Sequence, residues 1–323
     1  MSTSPRRRRP GLRPPVVPYL AAALLVTGAA TWYTSGGEGP SSPGGASEIE
    51  APAAPSWSAD LPWPTEGQSS AEVESLGSLG TRGEQTPVPI ASITKVMTAY
   101  VILTDHPMSA DEEGATVTAD RQAADESYSS TESTAPLVAG RAYTQRQLLE
   151  LMMLPSGNNV ARLLARWDAG SQEEFAEKMN KAAATLAMDR TNYTGASGIE
   201  PSTKSTATDQ LKLARAVMKN EAFRRIVATP TVTAPGVGVE IRNSNRLLGR
   251  DGVIGLKTGS STPAGGNLMW AATQNVGGTS RLILGVVLHQ QAGTNPTQAM
   301  AAAFDASHTL ITAIRSALPQ ALA

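Results

Sequence analysis

The sequence predicts an α+β fold, an antiparallel β-sheet flanked by helices with a mostly helical insertion between its first and last strands. One observation is an alternating stretch in which Ala71 and Val73 are separated by Glu72 and Glu74, the pattern of a strand with one buried face. Another is a set of apolar runs near the C-terminus, 253–258, 267–273 and 281–289, divided by Gly-rich turns at 263–266 and 276–279. Turns that short require antiparallel neighbours. Between these two regions the apolar residues recur at helical spacing, so the ends of the chain are expected to complete one sheet and the middle to cover it.

Composition narrows the classes of function. The chain has 323 residues, 41% of them hydrophobic and 17% charged, with a net charge of −1. That is ample for one large domain or two intergrown ones once a tail is removed. The near-neutral charge gives no reason to expect nucleic acid as a partner. With no cysteine there is neither disulfide nor thiol chemistry. The histidines, His106, His289 and His308, are far apart and carry no ligand spacing, so neither a metal nor another cofactor is expected.

At the N-terminus, Arg6, Arg7, Arg8, Arg9 and Arg13 precede an apolar segment from Val16 to Tyr33, the layout of an export signal with its positive side in the cytoplasm. Gly28, Ala29 and Ala30 offer small residues to a signal peptidase, while Trp32 and Tyr33 have the character of interfacial anchors. Residues 1–34 are therefore read as a basic tail with a signal or anchor, retained in the membrane or else cleaved. A Gly/Pro/Ser/Ala-rich linker follows over 35–66, in which Trp57 and Trp63 are expected to dock on the folded domain, and 67–323 is read as that domain. Pro87 and Pro89 hold the chain extended before an apolar helix that starts near Ala91. The polar stretch 106–135 reads as loops and short elements. Thr144 with Gln147 has the capping-box pattern ahead of a helix that stops at Pro155, and Ser171 with Glu174 caps another. Further helices are expected over 208–219 and 296–318.

Chemistry concentrates in three short motifs. Ser92 and Lys95 stand three residues apart at the head of the apolar helix, where i and i+3 share a face and the amine can reach the hydroxyl. None of the other lysines has a serine three residues before it. Ser156-Gly157-Asn158 follows Pro155, and Lys257-Thr258-Gly259 closes an expected strand, where Gly259 lets another backbone approach and Lys257 and Thr258 can bind an anion. Taken singly, each motif also fits an ordinary cap, turn or strand end.

In this order, Ala-Ser-Ile-Thr-Lys-Val-Met-Thr, Leu-Pro-Ser-Gly-Asn-Asn and Gly-Leu-Lys-Thr-Gly resemble the penicillin-binding and serine β-lactamase superfamily, and within it the low-molecular-weight D-alanyl-D-alanine carboxypeptidases. Asn243 to Leu248 and Ala264 to Leu268 extend the resemblance. It implies a β-lactamase/transpeptidase-like fold, peptidoglycan stem peptides as substrate, β-lactams as covalent inhibitors and a part in cell-wall and cell-shape maintenance. Ser92 would attack the carbonyl between two terminal D-alanines and Lys95 would take its proton. Ser156 would pass a proton to the leaving amine, and Asn158 would hold the substrate amide and orient Lys95. Lys257 and Thr258 would bind the terminal carboxylate beside Gly259 and Ser260, with the N–H groups of Ser92 and Ser260 as the oxyanion hole. The segment Gln290 to Asn295 lacks the arginine that many relatives place near that carboxylate. Two readings stand as alternatives, a β-lactamase, although no Glu-x-x-Leu-Asn element is present, and a non-catalytic sensor of cell-wall peptides or penicillin.

Overall fold

The computed structural model describes residues 54–322. The expected signal or anchor at 16–33 and the linker up to residue 53 lie outside the described residues. Within them, a 3-10 turn at Ser56–Asp60 leads to β1 (Gln68–Val73) and β2 (Gly77–Arg82), and β3 (Val88–Pro89) precedes α1 (Lys95–Asp105). Then come β4 (Thr116–Thr118), α2 (Arg121–Glu126), β5 (Ala142–Thr144), α3 (Gln145–Met153), α4 (Asn158–Ala169) and α5 (Gln172–Thr185). The chain continues through β6 (Lys204–Ser205), α6 (Ala207–Val217), α7 (Glu221–Ala228), β7 (Thr231–Thr233) and β8 (Glu240–Arg242). It closes with β9 (Val253–Ser261), β10 (Gly265–Val276), β11 (Thr279–Gln290) and α8 (Pro296–Ala321).

The main sheet has five strands in the order β2-β1-β11-β10-β9, every neighbouring pair antiparallel. Pairing of β1 with β11 joins the two ends of the sequence, as the patterning predicts. One face packs on α8, with Trp270, Leu268, Ile283, Ile311 and Ile314 in the core between them. The other face meets the helical section, where the apolar α1 is packed by α3, α4, α5 and α6. Gly266 allows the first contact, since a β-carbon there would collide with the Ala299 carbonyl of α8. Trp57 and Trp63 dock as expected, against the α8 side of the core, with the Arg82 guanidinium 5.0 Å above the Trp63 ring.

The helix starts follow local chemistry. Thr144 and Gln147 form the full reciprocal capping box of α3, and Ser171 accepts from the Glu174 N–H at the head of α5. One strand expectation needs correction. β1 is buried on both faces, because helices cover the sheet on each side and Glu72 is neutralised there by Arg215 of α6. A paired carboxylate tolerates a burial that the alternation alone assigns to solvent.

Candidate active site

Ser92 does not lie in the first turn of the α-helix but on a 3-10 turn, Ala91–Thr94, that feeds α1. Ala91 enters it at φ 46°, a left-handed conformation rare for alanine, and Thr94 Oγ1 donates to the Ala91 carbonyl at 2.8 Å. Lys95, the first residue of α1, is fully buried and its Nζ reaches Ser92 Oγ at 2.9 Å, Asn158 Oδ1 at 2.5 Å and the Ser197 carbonyl at 2.8 Å. Burial lowers the Lys95 pKa well below its ordinary value, with Lys257 and then Arg162 adding repulsion, while Glu132 and Glu200 act in the opposite direction. A neutral amine has two N–H groups and one lone pair. The fixed acceptors on Asn158 and Ser197 can take both N–H groups, which leaves the lone pair for the Ser92 hydroxyl.

The second motif comes from the break between α3 and α4. Pro155 ends one helix, Ser156 turns the chain at φ 70°, and α4 begins at Asn158. Ser156 is 6% exposed and its Oγ has no hydrogen-bond partner among the described residues, so a hydroxyl stands ready at the pocket wall. Such strain at a non-glycine residue costs of order 1 kcal/mol and needs support from its surroundings.

The third motif lies on β9, the edge strand of the sheet. Lys257 is buried, its Nζ donating to the Thr258 carbonyl at 3.0 Å, and burial pushes its pKa down to about 7. Thr258 Oγ1 is 2.8 Å from Ser244 Oγ. Gly259 lies against the turn that carries Ser92. A β-carbon there would sit 2.9 Å from the Ser92 and Ile93 nitrogens, so only glycine lets the strand edge come this close.

A cavity of about 430 Å³ opens between these elements, lined by Ser92, Ser156, Thr258, Gly259 and Ser260, with Phe304 of α8 on the far wall. Lys95 and Asn158 are buried behind Ser92, and Lys257 is buried beside Thr258. The structure thus brings together all the site residues expected from the sequence. A larger cavity of about 680 Å³, bordered by Glu72, Arg215, Met218 and Leu284, contains none of them.

Four contributors escape sequence reasoning: Ser197 through its carbonyl, Ser244, Glu132 and Arg246. Among the described residues Arg246 is the only charged side chain lining the cavity; it pairs with no carboxylate among them, and its guanidinium lies 5.8 Å from the Phe304 ring centre. The cation missing after β11 is therefore matched by one from the segment before β9. Asn243 to Leu248 belongs to the resemblance, but no spacing signal says which of its side chains turns inward.

A lysine held against a serine at the edge of an antiparallel sheet, with a second serine and a second lysine converging on the same cavity, defines a serine acyl-transfer hydrolase. The chain belongs to the D-alanyl-D-alanine carboxypeptidase family of peptidases, whose profile matches residues 76–292. A D-alanyl-D-alanine carboxypeptidase of a Streptomyces species is 36% identical over 226 residues, 65% of this chain and 75% of the relative. One from Mycobacterium tuberculosis is 34% identical over 226 residues, covering 67% and 72%. The crystal structure of a Streptomyces DD-transpeptidase is similar at a TM-score of 0.66 and 31% identity, over 78% of this chain and 98% of that one. An evolved penicillin-binding protein homologue from Mycobacterium tuberculosis gives a TM-score of 0.68 at 30% identity, over 83% and 98%. Membership makes the chain a serine-type hydrolase of cell-wall peptides, with β-lactams as covalent inhibitors, acting outside the cytoplasm.

Proposed function

We propose that the chain removes the terminal D-alanine from peptidoglycan stem peptides through an acyl-enzyme on Ser92. The observation that carries this is the Lys95 to Ser92 contact at 2.9 Å, made by a buried lysine whose other two partners are fixed acceptors. Ser92 Oγ attacks the carbonyl carbon between the two D-alanines as Lys95 accepts the hydroxyl proton. The developing oxyanion is received by the N–H groups of Ser92 and Ser260, a contribution of roughly 2.7–4 kcal/mol per donor in other enzymes. Ser156, unpartnered and buried at the cavity wall, relays a proton to the departing nitrogen, and free D-alanine leaves. Water then attacks the ester, its proton passing back through Lys95 and regenerating Ser92. With penicillin the attack opens a ring, so the leaving nitrogen stays attached and hydrolysis stalls.

Geometry also supports the direction of binding. The edge of β9 offers backbone groups to an extended peptide, an added-strand arrangement that sets the scissile carbonyl over Ser92. Its terminal carboxylate then lies towards Thr258, Ser260 and Arg246. Anchoring through the N-terminal segment 16–33 belongs to the same proposal, and fractionation of the cells should place the full chain in the membrane and a form whose residues 1–34 are replaced by a cleavable signal peptide in the soluble exported fraction.

The direct assay incubates the purified chain with a peptide ending in two D-alanines and measures free D-alanine, with Ser92→Ala as control. Release that depends on Ser92 is expected. Stoichiometric penicillin labelling of Ser92 without release would instead mark a sensor, and rapid penicillin turnover a β-lactamase.

A further inference from the structure

Behind the cavity wall, an ion pair faces Asn158 from two elements that take no part in the proton transfers. Glu132 sits in the segment between α2 and β5. Arg162 lies on α4, four residues after Asn158 and on the same face. Asn158 Nδ2 donates to Glu132 Oε2 at 2.6 Å. Arg162 donates to Glu132 Oε1 at 2.6 Å and to Oε2 at 3.1 Å, and its Nε donates to Glu126 Oε2 at 2.8 Å. The Arg162 and Glu132 side chains are only 11% and 13% exposed. The segment carrying Glu132 is itself pinned, since Asn158 N–H donates to the Ser133 carbonyl at 2.9 Å and Asn159 bonds both the N–H and the carbonyl of Ala135.

Elementary hydrogen-bond chemistry fixes what this pair does. An ionised carboxylate only accepts, so the Asn158 amide must present its NH₂ end to Glu132 and its oxygen to Lys95. Turned over, the amide would aim N–H groups at the lysine nitrogen and compete for the lone pair that Ser92 requires. We propose that Glu132 and Arg162 form a positioning device for the catalytic base. Glu132 locks the polarity of Asn158, which holds the Lys95 lone pair on Ser92, and Arg162 keeps that carboxylate ionised while offsetting its charge at Lys95. Burial works to raise the Glu132 pKa, but the hydrogen bonds from Arg162 and Asn158 leave it below the ordinary value. The inference rests on Lys95 being the base.

The charged groups that act on Lys95 are Lys257 from β9, Arg162 from α4, Glu132 from the segment before β5 and Glu200 from the loop after Ser197. Without Glu132 its attraction for the ammonium is lost while Arg162, still paired with Glu126, goes on repelling it, so the ammonium form is less favourable and the neutral amine is reached at lower pH. Without Arg162 the displacement is in the opposite direction.

The test is the rate at which the full chain is acylated by a fluorescent penicillin, measured against pH for the parent, Glu132→Gln, Arg162→Gln and the double variant. Circular dichroism and the melting midpoint establish that each is folded. Glu132→Gln should displace the acidic limb to lower pH and reduce the plateau about tenfold, because glutamine no longer dictates which way Asn158 faces. Arg162→Gln should displace the limb to higher pH, and the double variant should return it towards the parent with the plateau still low. Profiles that superimpose on the parent overturn the proposal, as does an equal loss at every pH with no displacement of the limb. A folded parent that is never labelled at Ser92 sinks the lysine-base reading together with it.

Discussion

At the scale of single residues, the cavity contains one free cation among the described residues, and its position bears on specificity. Lys257 is buried, tied to the Thr258 carbonyl and titrates near neutrality, so it is a weak counter-ion for a substrate carboxylate. Arg246 is permanently charged and presents a planar fork suited to a carboxylate. Replacing it with glutamine should raise KM for a D-alanyl-D-alanine peptide about tenfold or more, the value of a charged hydrogen bond of roughly 1.5–3 kcal/mol. A peptide whose terminus is amidated should be affected far less. Equal losses on the free acid and the amide would remove Arg246 from the carboxylate subsite. The residues whose chemistry depends on sequence neighbours, Ser92 with Lys95 and Lys257 with Thr258, are legible from spacing. Arg246 and Glu132 are not, because each acquires its meaning from a side chain on another element: Phe304 for the first, Asn158 and Arg162 for the second.

At the scale of elements, the active site depends on an edge strand pressed against a turn. β9 can approach the Ser92 turn only because residue 259 lacks a β-carbon, since the added atom would come within 2.9 Å of two backbone nitrogens. Gly259→Ala should therefore move the strand or the turn and spoil the oxyanion geometry. Acylation by penicillin should fall by about a hundredfold, the loss expected for one misplaced oxyanion donor. The melting midpoint should fall by only a few degrees, since most of the sheet is untouched. An alanine variant acylated at the parent rate would show that the close approach is dispensable. Helix starts are readable because caps are local: Thr144 with Gln147, and Ser171, do in space what they announce in sequence. The β7–β8 hairpin is not, because three-residue strands carry too little periodicity, whereas the short α7 does carry helical spacing in Ala222, Phe223, Ile226 and Val227 behind an Asn220 cap, a pattern only two turns long. The two-sided burial of β1 is equally hidden, since it depends on Arg215 arriving from α6.

At the scale of the whole molecule, the sheet and the helical section enclose two amines that folding must desolvate, and this links stability to pH. The Lys257 pKa is pushed down to about 7 in the folded state from its ordinary 10.5, with burial as the cause. Between those values the unfolded chain binds more protons than the folded one, so this residue makes stability rise with pH across that window. Below pH 7 both states carry the proton and the folded protein bears the full cost of the buried charge. Above 10.5 the cost vanishes. Lys257→Met keeps most of the volume and removes the charge, so it should raise the melting midpoint at pH 6 and lose that advantage progressively towards alkaline pH. Every tenfold weakening of proton binding on folding corresponds to about 1.4 kcal/mol, which makes the gain at low pH several kcal/mol at its upper limit. Acylation should be lost in the same variant, separating what the buried amine costs the fold from what it gives the site. Melting curves of parent and variant that stay parallel from pH 6 to pH 10 would mean that Lys257 keeps its proton on folding, and would also remove the argument that it is too weak a cation to hold the substrate without Arg246.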